Sequence, residues 1–165
     1  MSKYVCYTEF DSPIGRIILE GNEEALTGLH LAGHKHWSGP AKGSRLSKAA
    51  FAEVRAQLDQ YFAGDRQEFD VPLHLGGTPF QGRVWQALCA IPYGETITYG
   101  ELARRVGLPT ASRAVGAANG RNPVSILVPC HRVVGTNGRL TGYGGGLDAK
   151  RWLLDWEAGR SAIRE

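Results

Sequence analysis

The 165 residues are 42% hydrophobic, 21% charged and 9% aromatic, with a formal net charge of +3. That balance excludes disordered, collagen-like and low-complexity chains, and a chain of this length buries roughly 70% of its unfolded surface on folding. No apolar run approaches the roughly 20 residues of a membrane span, and MSKYVCYTEFDSPIG is polar where a signal peptide is apolar, so an intracellular protein without an anchor is expected. Charge is unevenly distributed. Residues 1–74 hold 8 Lys/Arg and 10 Asp/Glu (net −2), whereas residues 75–165 hold 11 and 6 (net +5). Ten of those 11 cations are arginine, whose planar fork suits phosphate, so the second half leans toward a polyanionic partner.

In chain order, residues 4–10, 15–20 and 25–31 are short Ile-, Leu-, Val- and Tyr-rich runs separated by turn residues, which predicts an antiparallel meander. Residues 33–47 read as a loop. Phe51, Val54, Leu58, Tyr61 and Phe62 share a helical face, and Gly64 marks its stop. Residues 68–75 suggest an extended segment that Pro72 confines to a sheet edge. A first domain is expected over residues 1–76 and a second over 77–165.

The second opens with Thr78-Pro79-Phe80-Gln81, a capping box with proline in the first turn, and its helix is expected to bury Cys89 with Trp85 and Leu88. Thr98-Tyr99-Gly100-Glu101 is another capping box. Short helices on either side of Gly107-Leu108-Pro109 outline a helix-turn-helix. The second of these helices contains Ala111, Ser112, Ala114, Gly116, Ala117 and Ala118, and only Arg113 and Asn119 could read bases. Its small residues suit either tight packing on a neighbour or close approach of a nucleic-acid backbone. An extended VSILVPCHRVV run, a turn at Thr136–Arg139 and a helix over about residues 148–158, burying Trp152, Leu153 and Trp156, complete the chain. The fold class is α+β: a small antiparallel-sheet domain, then a mostly helical domain with a winged helix-turn-helix.

Cys6, Cys89 and Cys130 are odd in number and lack CxxC spacing, which argues against a disulfide framework or a four-cysteine zinc site. Cys130 stands beside His131. A free thiol of pKa roughly 8.5 is only a few per cent thiolate at neutral pH, so an imidazole that takes its proton raises the reactive fraction. A carboxylate such as Glu157 could hold that imidazole in one tautomer. In a strand the two side chains would point to opposite faces, so a kink after Pro129 or a bridging water would have to connect them. Taken alone, a bare Cys-His pair reads rather as a buried structural cysteine beside a surface histidine. His30, His34 and His36 read as solvent-exposed loop histidines.

A longer pattern singles out Cys130. It runs Phe80-Gln81-x-x-Val84-Trp85, Ile91-Pro92-Tyr93-Gly94-Glu95-Thr96, Tyr99, Ala114-Val115-Gly116-Ala117-Ala118-Asn119-Gly120-x-Asn122-Pro123 and Val128-Pro129-Cys130-His131-Arg132-Val133-Val134-Gly135. It ends in Gly142-Tyr143-Gly144-Gly145-Gly146 and the Lys150–Glu157 helix. The stretch resembles the O6-alkylguanine-DNA alkyltransferases, or methylated-DNA–protein-cysteine methyltransferases. Asp11-Ser12-Pro13-Ile14-Gly15 and Tyr61-Phe62-x-Gly64 resemble that family's ribonuclease H-like first domain.

The resemblance implies direct-reversal DNA repair: minor-groove binding of double-stranded DNA, flipping of O6-alkylguanine (and O4-alkylthymine), and irreversible transfer of the alkyl group to Cys130. It implies His131 as water-linked base, Glu157 as its orienting carboxylate, and Arg113 as the finger that fills the vacated stack. Tyr99 would aid rotation of the 3′ phosphate and donate toward guanine N3. Asn122 would hold backbone at a hinge. Ala111, Ser112, Gly116 and Ala117 would lie along the DNA, and the Val133 carbonyl, Tyr143 and Gly144 would form the base pocket. Some relatives carry serine at Gly144, so glycine implies a less obstructed loop and wider tolerance for bulky alkyl groups.

S-alkylcysteine is a thioether without an activated carbonyl, so each molecule would act once. No cofactor is implied. Some relatives bind a structural zinc, but Asn22 stands where a second cysteine would be needed, so none is expected. A monomer is implied, with clustering on DNA left open. Its expected location is the cytoplasm in a bacterium or archaeon, or the nucleus in a eukaryote. The alternative is a non-catalytic, alkyltransferase-like lesion sensor, in which tryptophan usually replaces the cysteine. A helix-turn-helix transcription factor would need more base-reading side chains, and a cysteine hydrolase would need an oxyanion hole.

Overall fold

The computed structural model describes residues 5–159. Tyr4, the first residue of the first expected strand, and the last six residues of the expected second domain lie outside them. Strands β1 (Cys6–Ser12), β2 (Gly15–Gly21) and β3 (Leu26–Leu31) form the expected antiparallel meander. The β1–β2 hairpin turns through Pro13-Ile14, and Gly15 sits at φ 106°, where a side chain would be strained. The expected loop contains a short strand, β4 (Arg45–Leu46), which pairs parallel with β1 and completes the order β3-β2-β1-β4. Two residues are too few for an alternating pattern to register in the sequence.

Helix α1 (Ala52–Ala63) ends on Gly64 in the left-handed conformation and buries Val54, Leu58 and Tyr61, with Phe51 buried just before it. The edge segment carrying Pro72 meets β3: the Leu26 N–H donates to Pro72 O at 2.9 Å, and the His74 N–H to Leu26 O at 3.0 Å. His30 and His34 are buried rather than exposed, because the chain after β3 folds back over the sheet. His30 stacks on Trp37, with ring centroids 5.0 Å apart.

In the second half, α2 (Pro79–Cys89) has both halves of its capping box and buries Val84, Trp85 and Leu88. Cys89 is exposed, contrary to expectation. The helix ends there, and the chain turns back into the core only at Ile91. Helices α3 (Tyr99–Arg105) and α4 (Ser112–Gly120) form the helix-turn-helix. Thr98 caps α3 through the Glu101 N–H, but the Glu101 carboxylate turns outward to Arg104 and Arg105, so only half the second box forms. Strands β5 (Ile97–Thr98) and β6 (Val133–Val134) pair in parallel, and α5 (Leu147–Glu157) closes the described chain.

Apart from β6 at its end, the VSILVPCHRVV segment is not a strand. Tight turns replace the ladder: the Leu127 N–H donates to Ser125 O (2.9 Å) and the Cys130 N–H to Val128 O (2.8 Å). Ile126 takes φ 74°, and Cys130–Arg132 forms a 3-10 turn. The Asn122 side chain stands in for a partner strand. Its Nδ2 donates to Val128 O at 2.7 Å, and its Oδ1 accepts from the Val124 N–H at 3.0 Å.

Two seams join the halves. Strand β3 bonds the Cys130-bearing segment through Leu29 N–H to Pro123 O (2.9 Å) and Ser125 N–H to Leu29 O (3.1 Å). Helix α1 meets α5 where the Trp156 Nε1–H donates to Tyr61 O at 3.0 Å. Within the second half, the buried Trp85 indole donates to Ala118 O at 2.8 Å and ties α2 to α4. Trp85→Phe removes that tie and leaves the Ala118 carbonyl with the Arg121 N–H alone, at 3.1 Å. Losing the hydrogen bond should cost about 0.5–1.5 kcal/mol, read as a thermal unfolding midpoint lower by roughly 2–4 °C per kcal/mol.

Candidate active site and nucleic-acid cleft

The 3-10 turn over Cys130–Arg132 projects three consecutive side chains into the interior, with Cys130 5%, His131 0% and Arg132 6% exposed. Glu157, at the end of α5, receives them. Its Oε2 lies 2.8 Å from His131 Nε2 and accepts from the Tyr61 hydroxyl at 2.7 Å. Arg132 donates from Nε to Oε1 (2.8 Å) and from Nη2 to Oε2 (3.0 Å), while its Nη1 holds Ile91 O at 2.7 Å. Burial alone would raise the Glu157 pKa. The charges and hydrogen bonds of His131 and Arg132 overcome it and hold the carboxyl well below the usual range.

An ionised carboxylate only accepts, so the proton on the neutral imidazole sits on Nε2 and the lone pair on Nδ1. Nδ1 is buried and has no hydrogen-bond partner. The Cys130 thiol is pushed above its ordinary pKa by burial, against the lowering effects of the Asn122 amide, the Lys150 charge and its own backbone N–H. It is therefore a protonated thiol at rest that needs a base. Lys150 is itself lowered to about 8 by burial, with the neighbouring Cys130 acting in the opposite direction, and donates to Val133 O (2.7 Å) and Thr141 O (3.1 Å).

Beside this cluster opens a cleft of about 580 Å3. Tyr99, Arg113, Gly116, Ala117, Tyr143 and Gly144 line it, with Ser112, Arg121, Thr141, Lys35 and His36 at its edges, and no Asp or Glu among its lining residues. On α4, Val115, Ala118 and Asn119 face the core, whereas Arg113, Ala114 and Ala117 are exposed. Small residues thus occupy the outward face as well as the packed one. Ala111 precedes the helix, half-buried. The Thr141 hydroxyl donates to Tyr99 Oη at 2.8 Å, leaving the phenolic proton available to the cleft.

The structure therefore brings His131 and Glu157 together, holds Cys130 in the same buried turn without a hydrogen bond to the His131 ring, and places Tyr99, Arg113, Tyr143 and Gly144 on one cleft. Asn122 lies behind it on backbone bonds. Val133 is buried, and one lone pair of its carbonyl is already engaged by Lys150. The Gly144 expectation needs correction: a Cβ there would fall 2.0 Å from His34 Nε2, so an imidazole from the first half fills the space that glycine was expected to leave open. Tyr61, Arg132 and Lys150 went unassigned in the sequence reading, although each stands inside or beside a singled-out motif. Among the described residues, no three His, Cys, Asp or Glu side chains are arranged to hold a metal ion.

A buried thiol with a histidine–carboxylate pair, set beside a carboxylate-free cleft on a helix-turn-helix, defines a nucleic-acid-binding protein with a nucleophilic cysteine. Comparison with known proteins makes this specific. Residues 5–75 match the family model of the 6-O-methylguanine DNA methyltransferase ribonuclease-like domain, and residues 79–159 match that of the DNA binding domain. The methylated-DNA–protein-cysteine methyltransferase of Mycobacterium tuberculosis is 51% identical over 161 residues, covering 94% of this chain and 93% of that one. The Methanosarcina acetivorans protein of the same name is 53% identical over 152 residues, covering 92% and 97%. The crystal structure of the M. tuberculosis O6-methylguanine methyltransferase superposes with a TM-score of 0.87, covering 95% of this chain and 94% of that chain. M. tuberculosis OGT in complex with DNA, also 51% identical, gives 0.81 with 94% of each chain covered. The chain belongs to the methylated-DNA–protein-cysteine methyltransferase family.

The electrostatics of Glu157 set a pH dependence. Its folded pKa lies below the unfolded reference of 4.5, so its contribution to stability is complete above that value and is lost as the pH falls toward the folded pKa. Glu157→Gln should flatten the loss of stability below about pH 4.5 and lower stability at neutral pH, both measured by urea unfolding at a series of pH values.

Proposed function

We propose that this protein repairs DNA by direct reversal, taking the alkyl group of O6-alkylguanine onto Cys130 in a single irreversible turnover. The observation that carries the reading is an imidazole whose Nε2 is pinned by Glu157 and whose buried Nδ1 is left to accept, in the same tight turn as a buried thiol held above its ordinary pKa. His131 takes the thiol proton through Nδ1, directly or across a bridging water. Sγ then displaces guanine O6 at the alkyl carbon, so the S–C bond forms as the C–O bond breaks. The proton returns to the departing guanine by way of Tyr99, whose hydroxyl is free to donate. The thioether product has no leaving group that water could displace, so the protein is consumed.

The alkyl carbon is inaccessible inside a duplex, so the nucleotide has to leave the stack, at a cost of a few kcal/mol. Arg113, exposed on the outward face of α4, is placed to enter the gap, while Ala117 and Gly116 let the backbone come close. The base then lies against Tyr143 and Gly144, and the free lone pair of the Val133 carbonyl meets its exocyclic amine. Asn122 keeps the Cys130 turn in register with α4. The DNA-bound M. tuberculosis relative supports double-stranded DNA as the partner. Bacterial and archaeal relatives fit a protein of the cytoplasmic type, and the two family matches fit a division near Gly76-Gly77.

Mixing the protein with a duplex that carries one O6-methylguanine should add a single methyl to the Cys130 peptide and restore guanine, read by intact mass and peptide mapping. Cys130→Ala should gain no mass yet still bind the duplex. Tight binding by the unaltered protein without any mass gain would establish a lesion sensor instead.

A further inference from the structure

The first half of the chain reaches into the cleft, and nothing in the transfer chemistry accounts for it. After β3 the chain turns at Gly33 and runs His34-Lys35-His36-Trp37 along the cleft edge. His34 is buried at 6% exposure, and its Nδ1 accepts the His36 N–H at 3.1 Å. Burial, then the charges of His30, His36 and Lys35, lower its pKa to about 4, so at neutral pH the ring is uncharged.

The ring is a wedge. Its Nε2, Cε1 and Cδ2 occupy the place of a residue-144 Cβ, so a side chain there would have to displace the ring. The next residue repeats the fit, since a Cβ at Gly145 would meet Leu31 Cδ1 at 2.4 Å. A backbone bond from the Lys35 N–H to Gly144 O, at 3.2 Å, closes the latch. These contacts present Lys35 and His36, both exposed, on the same cleft as Arg113 and Arg121. None of the side chains of Lys35, Arg113 and Arg121 forms an ion pair among the described residues, whereas Arg104 and Arg105 share Glu101 and Arg132 holds Glu157. Three exposed cations thus surround a cleft with no carboxylate in its lining.

We propose that the Gly33–Trp37 loop is part of the DNA-binding surface, with Lys35 as a phosphate-contacting residue and His34 as the positioning residue that latches the loop to Gly144. The partner is a phosphodiester backbone flanking the lesion, on the side of the cleft opposite α4. This rests on the alkyl-transfer reading above and adds a contact from the first half of the chain. It also explains why Gly144 cannot be exchanged for serine without displacing a histidine from a distant strand end.

Counterion release gives a test that separates a phosphate contact from a folding defect. Each phosphate contact contributes about 0.9 to the slope of log K against log salt concentration on B-form DNA. Binding of an O6-methylguanine duplex would be measured by fluorescence anisotropy across a series of KCl concentrations at pH 7.5, in the non-reacting Cys130→Ala background. Lys35→Gln should reduce the slope by about 0.9. His34→Asn keeps an acceptor for the His36 N–H but removes the ring atoms that press on Gly144. It should produce the same reduction although no charge is removed, as should Gly144→Ser. A parental slope in Lys35→Gln overturns the phosphate contact. A reduced slope in Lys35→Gln with parental slopes in both His34→Asn and Gly144→Ser overturns the latch. Lys35 is exposed, so its variant reports even if His34→Asn folds poorly. Methyl transfer by the unaltered protein, scored separately by mass, distinguishes failure of this inference from failure of the repair reading.

Discussion

The Glu157 carboxylate is the interaction on which the site depends. It is one buried negative charge, and two cationic or ionisable side chains and a phenol converge on it from two other parts of the chain. Burying a carboxylate is expensive, and it is tolerated here because its lone pairs are filled by well-placed donors. The arrangement does more than offset desolvation. By accepting from Nε2 it selects the His131 tautomer, and by engaging Arg132 it holds the 3-10 turn that carries Cys130. Removing any one donor would leave the others around a less satisfied charge, so the cluster acts as a unit.

That dependence explains why the two halves of the chain are not separable modules. Tyr61 belongs to α1 of the first half, yet it completes the coordination of Glu157 in the second. Strand β3 supplies the bonds that hold residues 123–125, directly before the reactive turn. His34 fills the volume beside Gly144 at the cleft. The first half thus supports the proposed chemistry at three points without contributing the proposed nucleophile or its base. The thiol remains protonated until it reacts, which suits a protein that can act only once: a buried, un-ionised cysteine resists oxidation and adventitious alkylation.

Much of this was legible in the sequence where the signal is local. The capping box at Thr78–Gln81, the Gly64 stop, the spacing of Val54, Leu58 and Tyr61, and the three strands of the meander follow from short-range periodicity and backbone preference. Each was found in place. Local reasoning failed where a tertiary partner overrode it. The apolar run around Cys130 reads as a strand, but the Asn122 side chain and Pro129 replace ladder bonding with tight turns. Cys89 lies on an apolar helical face, yet the helix outruns its packing partner. Glu101 completes a capping motif in sequence, but two arginines on its own helix claim the carboxylate.

The sequence by itself determined the meander, the capped helices and the charge asymmetry, because these rest on residues close together in the chain, and its longer motif pattern singled out Cys130 as the candidate thiol. The tertiary structure decided which groups meet at Glu157, which imidazole nitrogen is free, and that Gly144 faces His34 rather than open space. Those pairings span from 25 to 110 residues, and no periodicity or motif encodes them. They exist because a packed interior leaves each buried charge and each missing side chain only one set of neighbours.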